Sequence, residues 1–213
     1  MNKFEQYYEF LISENQKYNL TNITNKDEVF VKHFDDSLAV ANLINMEEVE
    51  TICDIGSGAG FPGIPLKIKF PHLHLTIIEP TKKRCAFLEK LVLKLELNNV
   101  IIINDRAENI KDLREAFDVV VARAVARLPM LIELCIPYSK VNGYFLALKG
   151  PNYQNEVYDS SEALRVLSSY VEDCYSYELK NNYGSHTIIK IKKLAETDKK
   201  YPRSYGAIKN KPL

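Results

Sequence analysis

The rhythm of apolar positions changes along the chain. Over residues 2–18 they recur every three or four places (Phe4, Tyr7, Tyr8, Leu11, Ile12), the period of a helix with one buried face. Asn19-Leu-Thr-Asn-Ile23 reads as a turn. Thr24, with Asp27 three residues on, reads as the N-cap of a second helix reaching about Ile44. Short apolar runs then alternate with amphipathic ones. Those near 51–55, 74–79, 99–103, 117–122 and 143–149 predict strands, and stretches near 62–69, 81–96, 107–115 and 127–138 predict helices. Such alternation, with short connections, predicts an α/β fold with a doubly wound parallel sheet. The end differs: a helix over 153–169, then β-rich segments 172–180 and 185–192 around the turn Asn181-Asn-Tyr-Gly184. The pattern therefore predicts a mostly parallel sheet closed by a C-terminal antiparallel hairpin and preceded by a helical cap.

Length adds that 213 residues make one domain with small appendages. The expected division is a cap over 1–48, a core over 49–193 and a tail over 194–213. No apolar run approaches the ~20 residues that span a bilayer, and the opening residues do not form a signal peptide. Cys53, Cys85, Cys135 and Cys174 are scattered without C-x-x-C spacing. They fit reduced thiols in a cytoplasmic protein better than a disulfide framework or a metal site.

Formal net charge is zero, which alone argues against a nucleic-acid binder, but the charge is unevenly spread. Residues 1–50 carry 4 basic and 10 acidic side chains, residues 51–150 carry 14 and 10, and residues 190–213 carry 8 and 2. Positive charge thus gathers in the core and the tail, where a local field can guide a polyanion.

The strongest chemical signal is Thr51-Ile-Cys-Asp-Ile-Gly-Ser-Gly-Ala-Gly-Phe61. A strand ending in Asp54 runs into Gly56, Gly58 and Gly60, whose missing Cβ atoms let a backbone lie against a ligand. Pro62 and Pro65 open a helix behind it, and Glu79 closes the next strand, where a carboxylate can accept ribose hydroxyls. Gly58-Ala-Gly60-Phe-Pro-Gly63 also satisfies G-x-G-x-x-G, which admits NAD. Asp54 suits the amino group of a methionine moiety better than a pyrophosphate, Phe61 obstructs a phosphate approach, and the terminal hairpin is foreign to a dinucleotide domain. The signature is therefore D-x-G-x-G-x-G, for S-adenosylmethionine.

Further candidates sit at the same strand ends. Asn104-Asp105-Arg106-Ala107-Glu108 follows the third strand and could read an adenine edge. Arg123 ends the fourth strand and suits a carboxylate or phosphate, or a bridge to Glu108 or Asp54. Lys149 ends the fifth, as a nucleic-acid contact or merely an exposed strand end. Lys82-Lys83-Arg84 opens a helix against its dipole, pointing to an anionic partner. His33-Phe-Asp-Asp36 lies in the cap and is expected to shape a substrate entrance. A small-molecule or protein methyltransferase, an NAD-dependent oxidoreductase and a non-catalytic RNA-binding module are the other classes these features admit.

These strings together resemble the bacterial glucose-inhibited division protein B family, the small-subunit rRNA guanine-N7 methyltransferases. The likeness runs from Asn19-Leu-Thr-Asn-Ile23 and His33-Phe-Asp-Asp-Ser-Leu38 through Asp54-Ile-Gly-Ser-Gly-Ala-Gly-Phe-Pro-Gly-Ile-Pro65. Lys83-Arg84, Arg106-Ala-Glu108, Arg123-Ala124 and Leu148-Lys-Gly150 follow in order. The resemblance implies a class I, Rossmann-like methyltransferase fold, S-adenosylmethionine as methyl donor, and Gly56, Phe61, Ala107, Glu108 and Arg123 as its contacts. It implies 16S rRNA of the small ribosomal subunit as partner and N7 of a guanosine as acceptor; a monomer without a metal is expected besides. Tyr205 and Ile208 depart from the family's tail, where prolines are usual.

Overall fold

A computed structural model of the chain describes residues 2–213. Seven strands form one sheet in the order β3-β2-β1-β4-β5-β7-β6. Their ranges are β1 Thr51–Ile55, β2 His74–Ile78, β3 Val100–Ile103, β4 Phe117–Arg123, β5 Ser139–Lys149, β6 Ser169–Glu178 and β7 Ser185–Lys193. The first five run parallel, and β7 pairs antiparallel with both β5 and β6. The predicted doubly wound sheet with its closing hairpin is therefore present.

Successive strand side chains point to opposite faces, so a strand covered on both sides must be apolar throughout. Val119, Val121, Leu146, Leu148 and Ile188 pack on one face, under the N-terminal helices, α4 (Gly63–Lys69) and α5 (Lys82–Lys94). Val120, Ala122, Phe145, Ala147, Ile189 and Ile191 pack on the other, under α6 (Leu128–Cys135) and the C-terminal residues Tyr201 and Ile208.

The cap begins with α1 (Lys3–Tyr18), whose Tyr7 hydroxyl donates to Ala59 O at 2.5 Å. Next, α2 (Lys26–Val29) passes through a π-helical turn, Phe30–Asp35, into α3 (Asp36–Leu38). The N-cap is Asn25 rather than Thr24, since the Asn25 side chain accepts the Glu28 N–H at 3.2 Å. The wide turn diverts the Asp36 N–H to Val31 O and His33 O, so an α-type bond to Lys32 O is not made.

Three further elements differ from expectation. Residues 107–115 hold only a 3-10 turn, Ala107–Asn109, closed by Ile110 N–H to Ala107 O at 3.1 Å, and the Tyr138 hydroxyl sits within hydrogen-bonding reach of the Ala107 and Ile110 carbonyls, its one proton shared between them. The stretch 153–169 splits into α7 (Tyr153–Asp159) and α8 (Ser161–Val166), and β6 starts at Ser169. The hairpin reverses through a longer loop, closed by Leu179 N–H to Gly184 O at 2.8 Å.

The last segment folds back on the sheet and ends in α9 (Tyr205–Asn210). Arg114 donates to the carbonyls of Thr197, Asp198 and Tyr201. Arg203 forks onto the Glu133 carboxylate at 2.8 and 2.6 Å. Glu133 is fully buried, so Arg203→Ala should leave a charge with too few partners and lower unfolding free energy by about 3 kcal/mol. Urea denaturation of the variant against the parent measures this.

Candidate functional site

The site grows from the loop after β1. Gly56 (φ +73), Gly58 (φ +61) and Gly60 (φ +105) all take left-handed backbone that a Cβ would strain. A Cβ on Gly58 would meet nothing within 4 Å, so this stretch of backbone lies open to a ligand. Gly60 faces the other way, into the cap, where a Cβ would come within 2.6 Å of the Tyr7 hydroxyl. Glu79, almost fully buried, accepts the Gly58 N–H at 3.0 Å and the Thr81 N–H at 2.9 Å. It thereby ties the glycine loop to the start of α5.

Asp54 does not stand where a methionine amino group could reach it. Its carboxylate is fully buried; one oxygen accepts Ser57 Oγ–H at 2.6 Å and Gly63 N–H at 2.8 Å, and the other has no partner. Asp54 therefore pins the loop to α4. Gly63 is required there, since a Cβ would meet that carboxylate at 2.7 Å. Burial pushes the Asp54 pKa up to about 6, against the opposing pull of the Ser57 and Gly63 hydrogen bonds.

Beside the loop lies a pocket of about 220 Å³, lined among others by Gly56, Glu79, Ala107, Glu108, Val125 and Tyr205. The Ala107 turn is held in place by Tyr138, and Asn104 donates to Glu79 O at 3.0 Å, joining the ends of β2 and β3. Arg84 reaches within 3.8 Å of Glu79 and Arg106 within 3.9 Å of Glu108, while Lys82 and Lys83 are exposed.

Arg123 does not bridge to Glu108 or Asp54. Its partner is Asp36 of the cap, at 2.9 Å, with Lys32 O at 3.1 Å. The π turn explains the second contact, because it leaves the Lys32 carbonyl outside the usual helical bond. Asp36 is 1 % exposed and also meets Tyr177 Oη of β6 and His186 Nδ1 of β7, both at 2.6 Å. Burial alone would raise its pKa; the His186 hydrogen bond, the Arg123 charge and the Tyr177 hydrogen bond outweigh burial and hold it below the usual carboxylate value. The Arg123 guanidinium also lies 4.8 Å over the Phe61 ring, which stacks on His33 (4.5 Å) and Tyr7 (5.3 Å). His33 contacts Thr21 Oγ1 at 3.0 Å through Nε2, and burial, aided by Arg123, pushes its pKa down to about 4. It is a neutral ring at physiological pH.

Lys149 is neither a free cation nor an exposed strand end. Its ammonium donates to Ala126 O at 3.0 Å and pairs with Glu156 at 2.7 Å. With His33, Asp36, Arg123, Tyr183 and His186 it lines a cleft of about 450 Å³. Between cleft and pocket runs a groove over Gly56, Ser57, Gly58 and Phe61. Gly56, Arg84 and Ala124 belong to both groove and pocket, and His33, Arg123 and Ala124 to both groove and cleft. The three cavities form one trough along the C-terminal strand ends, where open α/β sheets bind ligands.

A nucleoside joined to an amino-acid tail fits this trough. The open Gly58 backbone gives a flat floor, Glu79 offers carboxylate oxygens at the nucleoside end, and Arg123 stands at the other end. Among the described residues no cluster could hold a metal ion. The roles of Asp36, Tyr177 and His186 were not assigned from sequence. The His33-to-Asp36 string marks the place, but its partners lie about 140 and 150 residues downstream, and only the folded hairpin brings them in.

Two outcomes follow. Asp36→Ala leaves a half-buried Arg123 uncompensated and should cost about 3–5 kcal/mol in urea denaturation. Asp54 binds its proton more tightly folded than unfolded, so its stabilising contribution is full below pH 4 and is lost as pH rises through about 6. The loss amounts to about 3 kcal/mol. Subtracting the pH–stability curve of Asp54→Asn from that of the parent between pH 4 and 7 isolates it.

Comparison with known proteins agrees with this geometry. The GidB family, described as rRNA small subunit methyltransferase G, matches residues 1–183. Ribosomal RNA small subunit methyltransferase G of Bacillus subtilis is 45 % identical over 216 residues, covering 100 % of this chain and 90 % of the relative. The protein of the same name from Carboxydothermus hydrogenoformans is 46 % identical, covering 99 % and 90 %. Among solved structures, M. jannaschii TYW2 in complex with AdoMet matches with a TM-score of 0.60 at 19 % identity, over 76 % of each chain. A SAM-dependent O-methyltransferase from Thermotoga maritima matches with a TM-score of 0.60 at 18 % identity, over 88 % of this chain and 73 % of that one. These structures establish the fold as that of the class I S-adenosylmethionine methyltransferases. By the length and identity of the sequence matches, the chain belongs to the GidB family, rRNA small subunit methyltransferase G.

Proposed function

We propose that this protein transfers a methyl group from S-adenosylmethionine to N7 of a guanosine in 16S rRNA of the small ribosomal subunit. Family membership supports the RNA substrate. The observation that carries the reading is the single trough, with Ala124 common to all three of its parts. A donor lying along the glycine loop ends where the wide cleft begins. In this reading Gly56, Gly58, Phe61, Glu79, Ala107, Glu108 and Arg123 contact the donor, and Gly60 serves it indirectly by seating the cap on the loop. Residues 1–48 act as a cap that narrows the entrance to the core of 49–193.

S-adenosylmethionine supplies an electrophilic methyl group on a sulfonium. The N7 lone pair of guanine lies in the ring plane and carries no proton, so no side chain has to act as a general base. The residues need only align the base with the methyl, and such positioning lowers a barrier by roughly 7–11 kcal/mol. As N7 is methylated the base becomes cationic. Asp36 neutralises Arg123, and His33 is uncharged, so the cleft does not repel that charge. The deep major groove of A-form RNA hides N7 from protein groups, so the target is a splayed or loop guanine. Exposed Lys82 and Lys83, at the start of α5 next to the pocket residue Thr81, offer phosphate contacts, and exposed Lys199, Lys209 and Lys211 add basic surface along the C-terminal segment. Among the described residues no helix is long and apolar enough to cross a membrane. We read the protein as a cytoplasmic monomer, its reduced cysteines (Cys53, Cys85 and Cys135 buried) according with that compartment.

Labelled methyl transfer onto small subunits that lack the modification, followed by chemical cleavage at 7-methylguanosine, should give one cut in 16S rRNA. Absence of label there, with the donor bound, would overturn the substrate assignment. Lys149→Ala should lower methylation roughly tenfold by loosening the Ala126 turn and the Glu156 side of the cleft, with donor affinity within about twofold of the parent. Unchanged methylation would remove Lys149 from the site.

A further inference from the structure

The C-terminal residues carry the chain's densest positive charge, yet several of their groups serve the protein itself. Arg203 is committed to the buried Glu133, and Tyr201 and Ile208 are anchored in the core at 8 % and 0 % exposure. Arg114 gathers three carbonyls of residues 197–201, and Glu115 accepts the Thr197 N–H at 2.8 Å. Between the anchors stands Tyr205, 36 % exposed, at the rim of the 220 Å³ pocket. The Arg106 guanidinium lies 4.4 Å over its ring, and Arg106 itself precedes the Ala107 turn on the same pocket wall. Neither side chain is needed to fill the core. The fold thus spends several buried ties on a segment that delivers one aromatic ring to a nucleoside-sized opening.

We propose that the C-terminal segment is the outer wall of the donor pocket, and that Tyr205, backed by Arg106, covers the adenine of S-adenosylmethionine. This rests on the reading that the pocket receives the donor's nucleoside end. An adenine has two large faces, and an exposed aromatic ring beside a guanidinium offers stacking and cation–π attraction without selecting hydrogen bonds. Binding the donor in turn buries the exposed Tyr205 surface and stabilises the tail on the core.

The sequence contains no tryptophan, so Tyr205→Trp places a single reporter at this wall. Its emission should be quenched on titration with S-adenosylmethionine and equally with 5′-methylthioadenosine, which carries the adenosine end alone. By calorimetry Tyr205→Ala should weaken both ligands roughly tenfold, about 1.4 kcal/mol. Tyr205→Phe should bind both within twofold of the parent, and circular dichroism should show all variants folded. Parent-like affinity in Tyr205→Ala would overturn the proposal while leaving the pocket assignment standing. A parent protein that binds neither ligand would overturn both.

Discussion

One buried carboxylate holds the two halves of the site together. Asp36 comes from the N-terminal cap, Arg123 from β4, Tyr177 from β6 and His186 from β7, and all three partners converge on the same two oxygens. A buried charge is tolerated only when paired and hydrogen-bonded, and here each donor comes from a different strand. Satisfying Asp36 therefore requires the cap to sit squarely over the sheet and the hairpin to lie beside it. The cleft, the stacked rings of Phe61 and His33 and the orientation of Arg123 all depend on that agreement.

The glycine string divides its work between ligand and fold. Gly58 leaves space open, whereas Gly60 makes room for Tyr7 and Gly63 for Asp54. Glu79 does both, holding the loop by the Gly58 amide while presenting its carboxylate to the pocket. In the proposed reading a ribose at Glu79 would meet a carboxylate already oriented by the Gly58 and Thr81 amides and already desolvated, which would leave little to reorganise at binding.

Much of this was legible in sequence, for physical reasons. Parallel strands buried on both faces are plain apolar runs, so β1, β2, β4 and β5 stood out, and the glycine spacing located the loop between β1 and α4. The failures share one cause, a local pattern overridden by a distant side chain. Over 107–115 a single 3-10 turn stands in place of the expected helix, with the Ala107 and Ile110 carbonyls met by the Tyr138 hydroxyl from just ahead of β5. Glu156 takes Lys149 out of solvent, and Asp36 takes Arg123 away from Asp54 and Glu108. Asp54 looked like a ligand group because it precedes the loop, yet its neighbours Ser57 and Gly63 already claim it.

The π turn at Phe30–Asp35 makes the cap sensitive to the number of residues it contains. A wide turn holds about one residue more than the α-helix would, and each helical residue advances the chain by about 100°. Removing a single residue there would restore a regular ladder and return the Lys32 carbonyl to an amide. The same deletion would rotate everything before it by more than a quarter turn relative to Asp36, so that α1, with Tyr7, and the Asp36 carboxylate could no longer both face the loop. The segment thus tolerates exchange of its side chains far better than any change in their number.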